Sequence, residues 1–166
     1  MHPANLPLEE LAKQCQVNFT RRKGPGGQHR NKVETAVVLT HLPSNVTAEA
    51  NNARSQKENR VAAVWRLRLK LAIVKRTTRQ LESSPGELLR SKLKSGKLEC
   101  SVSHDDYPAV VAEVLDLLEH FSGDTGRLAE HLITSSSQIL KLARKEDGVL
   151  RALNLIRKNN DLPGLK

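Results

Sequence analysis

The sequence predicts an α+β fold: a small mixed sheet carrying a glycine-rich loop, a long basic helix, and then a mainly helical C-terminal domain. Three observations predict it. Short runs rich in β-branched residues recur before residue 51, and Ala53 to Arg79 contains neither glycine nor proline. Ser83-Ser84-Pro85-Gly86 then punctuates the chain, and most of the remainder reads as short helices. At 166 residues there is room for one core, or for a domain of about 100 residues with a smaller companion. The expected organisation is a first domain over 1–80 and a helical one over 85–166.

Leu8 to Gln14 reads as a short helix, and Gln16 to Thr20 as a strand with Val17 and Phe19 on one face. Val33 to His41 is β-branched, Leu42-Pro43-Ser44-Asn45 supplies turn chemistry, and Val46 to Ala50 alternates again, so a hairpin with a turn longer than two residues is expected. Ala53 to Arg79 is expected to be one helix, although Arg66-Leu67-Arg68-Leu69-Lys70-Leu71 alternates with the period of a strand. Beyond the punctuation, the pattern predicts a short helix from Glu87 to Leu93 and an irregular or briefly extended stretch to Tyr107. Helices come next near Pro108–Phe121, Asp124–Ile133, Ser136–Arg144 and Gly148–Lys158. Pro108 suits a first helical turn and Ser122-Gly123 a stop.

Charge is distributed unevenly. Residues 1–80 hold 15 Lys and Arg against 5 Asp and Glu, whereas residues 81–166 hold 12 against 13. A polyanionic partner is therefore expected for the first half. Trp65, Tyr107, Phe19 and Phe121 are the only aromatic residues, too few for a stacking platform, so contact with nucleic acid should run through phosphates and shape. Cys15 and Cys100 are far apart and lack ligand spacing, which predicts reduced, inert thiols and no metal site. No cofactor is expected. Nothing resembles a leader or a membrane span, so a cytoplasmic monomer is expected.

The segment with chemistry in it is Gly24-Pro25-Gly26-Gly27-Gln28-His29, flanked by Arg21, Arg22, Lys23, Arg30 and Lys32. Adjacent glycines let a backbone enter a crowded reacting centre in conformations closed to other residues, and the surrounding cations can grip phosphates. The segment lacks the Gly-Lys-Ser/Thr ending of a phosphate-binding loop, and no third glycine completes GxGxxG. Taken alone, these six residues also suit a plain glycine turn on a basic surface. Arg54, Lys57 and Arg60 open the long helix and are read as further RNA contacts, against the commoner alternative of a solvated charged face.

The residues downstream of the segment narrow the choice. After Gly24 to His29 come Asn31-Lys32-Val33, Thr35-Ala36-Val37, Leu39-Thr40-His41-Leu42-Pro43, Arg54-Ser55-Gln56 and Asn59-Arg60, and this ordered series resembles the catalytic GGQ domain of class I peptide-chain release factors over about Gln16 to Arg76. The resemblance implies ribosome-dependent hydrolysis of the peptidyl-tRNA ester in the peptidyl-transferase centre of the large subunit, with large-subunit rRNA and peptidyl-tRNA as partners. It makes Gly26, Gly27 and Gln28 the catalytic residues. The backbone N–H of Gln28 would stabilise charge on oxygen, its side chain would orient or admit water, and Gly26 and Gly27 would allow the conformation. His29 is an ordinary variant beside that glutamine, and His2, His41, His104, His120 and His131 show no ligand spacing. Arg22 and Arg30 depart from the family pattern, where small and β-branched residues respectively are usual, and both add positive charge.

The chain before Gln16 has no room for the domains that read stop codons in the family, so a codon-independent relative of the kind that rescues stalled ribosomes is expected. The basic tail of the small rescue hydrolases is also missing; Arg157, Lys158 and Lys166 are too few. Leu128, Ala129, Leu132, Thr134, Ile139 and Leu142 have the spacing of a helix-turn-helix with Ile133 in place of the turn glycine, which would offer Ser136, Ser137, Gln138, Lys141 and Arg144 to nucleic acid. A small helical bundle explains the same spacing. The alternative function is a noncatalytic RNA- or DNA-binding regulator on a degenerate release-factor scaffold.

Overall fold

The computed structural model describes residues 1–20, 35–78 and 84–166. Compactness divides the chain into two units, Pro3–Leu71 and Ala72–Lys166, with Met1–His2 grouped with the latter. The division falls inside one helix.

The first unit opens with a 3-10 turn at Pro3–Asn5 and helix α1, Leu8–Lys13, whose end is marked by Gln14. Strands β1 (Cys15–Thr20), β2 (Ala36–His41) and β3 (Val46–Ala50) come next and pair in the order β1-β2-β3. Both pairings are antiparallel, so the described sheet is not the mixed one expected from the sequence. A hairpin connection needs no crossover helix, and His41 pairs directly with Val46 across the four-residue turn, where Asn45 takes φ 55°. The turn is held by side chains as well: Ser44 Oγ lies 2.6 Å from His41 Nδ1, and Gln14 Oε1 lies 3.0 Å from His41 Nε2. His41 is thus a core histidine with its hydrogen bonds made, 2% exposed.

Strand periodicity puts Val37, Leu39, Ala48 and Ala50 on one face, and all four are buried. Helix α2, Gln56–Val74, contributes Ala63, Leu67 and Leu71 to the buried set at four-residue spacing, and Leu69, on a different face of the helix, is buried as well. The period-two stretch is therefore helical. Its basic residues are not all solvent-facing decoration: Arg66 Nη1 donates to Glu49 O at 2.7 Å, Arg68 Nε to Ala4 O at 3.0 Å, and Lys70 Nζ to Thr47 O at 2.8 Å.

The helix stops at Val74, five residues short of expectation, although neither glycine nor proline intervenes. The stop is tertiary. Arg76 folds its guanidinium back onto the carbonyls of Ala72, Ile73 and Lys75, and Asp116 accepts the Thr77 backbone N–H at 3.1 Å and the Thr77 hydroxyl. Asp116 is 4% exposed and stands 3.6 Å from Arg76 Nη1. His2 Nε2 lies 3.2 Å from Lys75 O, and burial holds its imidazole below the ordinary histidine value.

In the second unit, α3 (Glu87–Lys92) leads into a minimal hairpin of β4 (Leu93–Lys94) and β5 (Lys97–Leu98), turned by Ser95 and Gly96, both at positive φ. Helices α4 (Tyr107–His120), α5 (Thr125–His131), α6 (Ser136–Ala143) and α7 (Asp147–Asn159) complete it. Helix α4 is the hub, with Tyr107 and Pro108 to Leu118 buried and the Tyr107 hydroxyl donating to Leu142 O at 3.1 Å. Ser122 and Gly123 terminate it at positive φ, and Gly123 lies where a Cβ would come within 3.0 Å of Arg157 Cα. Asp124 caps α5 by accepting from the N–H groups of Gly126 and Arg127.

The turn between α5 and α6 is strained. Ile133 sits at φ 51°, where a β-branched residue clashes with its own backbone, and 85% of it is exposed, so little burial compensates. The Thr134 N–H to Ala129 O bond at 2.9 Å closes the helix end that calls for this conformation. Ile133→Gly is expected to raise stability by about 1 kcal/mol, after the added freedom of the unfolded chain is subtracted. Thermal denaturation followed by circular dichroism measures it; an unchanged or lower Tm would contradict the strain.

Candidate functional site

The predicted catalytic residues Gly26, Gly27 and Gln28, with the cations Arg21, Arg22, Lys23, Arg30 and Lys32, lie outside the described residues. The structure does describe the ground on either side of them. Thr20 ends β1 and Ala36 begins β2, and the two are register partners, so the backbone leaves the sheet and returns to it at neighbouring positions. Thr20 is also where a buried hydroxyl has no hydrogen-bond partner among the described residues.

The return is fixed by a side chain that sequence reasoning did not assign to the site. Asn59, 1% exposed, donates from Nδ2 to Thr35 O at 2.7 Å and to Ala53 O at 2.9 Å, while its Oδ1 accepts the Ala53 N–H at 2.9 Å. Thr35 is the first described residue after the glycine-rich segment. The local sequence explains the geometry of the partner: Ser55 sits ahead of α2, its Oγ accepts the Glu58 N–H at 3.4 Å, and its carbonyl accepts the Asn59 N–H at 3.1 Å. Asn59 therefore projects from the first turns of a capped helix and clamps the chain just before that helix to the chain just before β2. The sequence signal for it is its place in the Asn59-Arg60 pair of the ordered downstream series, which gives it no role; its neighbours Lys57, Glu58, Arg60 and Val61 are exposed while it is buried.

Arg54, Lys57 and Arg60, the three predicted RNA contacts within the described residues, are all exposed and cluster at this same end of α2. Arg54 directly follows the clamped Ala53. Thus the structure brings these three together with the return point of the glycine segment. It separates them from Arg66, Arg68, Lys70 and Arg76, which are spent on backbone carbonyls. Trp65 is half-buried with its Nε1 enclosed, consistent with packing rather than a platform for bases.

The second candidate region is less available than its sequence implies. Ser136 donates to Thr125 O at 3.0 Å, Gln138 Oε1 accepts the Leu98 N–H at 3.4 Å, and Arg144 donates to Lys166 O. Ser137 and Lys141 remain exposed. Burial raises the thiol pKa of both Cys15 and Cys100, so thiolate is disfavoured at neutral pH. Among the described residues, no cluster of His, Cys, Asp and Glu is placed to hold a metal ion, and no helix is long and apolar enough to cross a membrane.

With this geometry in place, comparison with known proteins identifies the class. The RF-1 domain family matches residues 8–104, and the chain belongs to that family, a class I release factor-like family with its GGQ triplet here at Gly26-Gly27-Gln28. The chain is similar to chloroplastic peptide chain release factor PrfB1 of Arabidopsis thaliana, 42% identical over 77 residues that make up 46% of this chain and 16% of that one. It is similar to peptide chain release factor 1 of Chloroherpeton thalassium at 36% over 104 residues, covering 63% of this chain and 28% of the relative. Mitochondrial peptide chain release factor 1 of Homo sapiens is 30% identical over 143 residues, 82% of this chain and 32% of the relative. The chain thus spans about a third or less of the length of these curated relatives.

Proposed function

We propose that this protein hydrolyses the ester between a nascent peptide and the 3′ end of tRNA on the ribosome, in termination or rescue, without reading a codon. The observation that carries the reading is the intact Gly26-Gly27-Gln28 triplet inside the RF-1 domain match. Water attacks the ester carbonyl carbon, the bond to the 3′ oxygen breaks, and the proton balance leaves a peptide carboxylic acid and a free tRNA hydroxyl. A positioned backbone N–H at Gln28 stabilises the oxygen on which charge develops, while the Gln28 side chain orients the water. Gly26 and Gly27 let the backbone approach, and Arg21, Arg22, Lys23, Arg30 and Lys32 hold phosphates close by.

Exposed Arg54, Lys57 and Arg60 extend this cationic surface toward rRNA or tRNA, supported by their place beside the clamped Ala53. In the proposed division of labour, residues 1–80 carry the chemistry and residues 85–166 form a helical accessory domain. The proposed working form is a monomer in the compartment that holds its ribosomes.

The test is release of labelled peptide from purified ribosomes carrying peptidyl-tRNA, programmed with a sense codon, with a stop codon, or with message ending at the P site. Release on all three is the expected result. Release on the stop codon alone would overturn codon independence, and release on none would favour a nucleic-acid-binding regulator.

A further inference from the structure

We propose that Asn59 is the positioning residue for the glycine-rich segment: it fixes the backbone where that segment rejoins the sheet, and so sets the rate of ester hydrolysis rather than the affinity for the ribosome. The inference rests on the hydrolase reading above. It goes beyond that reading by assigning rate control to a buried residue outside the GGQ triplet.

Asn59 is unusual for its place. Asparagine is a poor helix former, and a buried amide costs stability unless its hydrogen bonds are made. Here both kinds of polar atom are used, and all the partners are backbone: Thr35 O, Ala53 O and Ala53 N–H. A leucine would fill a helix-to-core position more favourably. What an aliphatic residue cannot do is hold Thr35 to Ala53 at hydrogen-bond precision. The departure side is already set by the β1–β2 ladder at Thr20 and Ala36. The return side shares that ladder, and among the described residues Asn59 adds a second constraint at Thr35, one residue before Ala36.

Precision at this stem matters because a catalytic N–H must sit within about 0.5 Å of its productive position, and a displacement of about 1 Å can cost on the order of 100-fold in rate. Ribosome binding through side-chain cations is far more tolerant, since phosphate attraction falls off slowly with distance. Loss of Asn59 should therefore divide the kinetic constants unequally.

The test uses the full chain, with single-turnover peptide release measured across ribosome–peptidyl-tRNA concentrations. Asn59→Asp keeps the size and the acceptor for the Ala53 N–H but sets a carboxylate against two carbonyl oxygens. Asn59→Ser is the second variant, uncharged and too short to bridge Thr35 and Ala53, for use if the aspartate variant does not fold. Circular dichroism gives the folded fraction, and rates are expressed per folded molecule. The expected result is a fall of at least about tenfold in the maximal release rate, with the half-saturating concentration unchanged within about twofold. An unchanged maximal rate in a folded variant, or a loss confined to half-saturation, would overturn the role of Asn59 and leave the hydrolase reading standing. No release by the unaltered protein would overturn that reading, and the inference with it.

Discussion

Gly27→Ala is expected to reduce peptide release by at least about 100-fold while leaving the melting temperature nearly unchanged. Removing one well-placed donor from an oxyanion-type site typically costs about 100- to 1000-fold in rate, and an added Cβ at Gly27 narrows the backbone conformations through which the next N–H is presented. Folding should be spared because the buried set of the first unit, including Val37, Leu39, Ala48, Ala50, Ala63, Leu67 and Leu71, is drawn from the strands and α2. Two companion variants separate backbone from side chain. Gln28→Ala retains the N–H and is expected to lose less than Gly27→Ala, whereas Gln28→Pro removes the N–H and should lose at least as much. Release by Gly27→Ala at the unaltered rate would remove the glycine segment from the mechanism.

Asp116→Ala is expected to produce the largest loss of stability, about 3 kcal/mol. Three donors converge on that buried carboxylate: the Thr77 N–H, the Thr77 hydroxyl and the Arg76 guanidinium. Truncation removes a helix-terminating contact and leaves a partly buried arginine, 22% exposed at its side chain, facing a void. The arginine keeps its carbonyl partners at Ala72, Ile73 and Lys75, which moderates the penalty. Asp116→Asn preserves shape and an acceptor for Thr77 and should cost roughly half as much. Urea denaturation of the three proteins measures the series; equal midpoints for all three would show that the helix end is held by other contacts.

Much of the fold is legible in the chain, and the exceptions have specific causes. Val46–Ala50 and the four-residue turn before it follow from alternation and turn chemistry. The stop at Ser122-Gly123 follows from glycine geometry. The end of α2 at Val74 does not, because it depends on Asp116, 39 residues beyond Thr77. The β4–β5 hairpin is too short for any period to register: only two residues pair on each side, Leu93 is read as the end of a helix, and Ser95 to Tyr107 is read as irregular or briefly extended.

The candidate site divides the same way. Its glycine triplet is singled out in the sequence because chemistry restricts the residue types and the downstream matches keep their order, and the triplet falls within the span that the RF-1 domain family matches. Asn59 is not legible as a positioning residue, since nothing in a helical asparagine announces that its partners are Thr35 and Ala53. Nor does sequence distinguish Arg54 from Arg66; the first is exposed, whereas the second reaches the Glu49 carbonyl.

That last division bears on how many counterions the protein can displace. A lysine or arginine already bonded to its own backbone carbonyls contributes little to the exchange of condensed cations when a nucleic acid binds, although it adds fully to formal charge. Arg66, Arg68, Lys70 and Arg76 are engaged in this way. The ionic-strength dependence of binding should therefore be shallower than a formal charge of +9 implies, and it should be governed by the residues flanking the glycine segment together with Arg54, Lys57 and Arg60. These four cations act as ties to the protein's own backbone, exposed Lys70 the least sheltered of them, so the same two residue types serve cohesion at some positions and attraction at others.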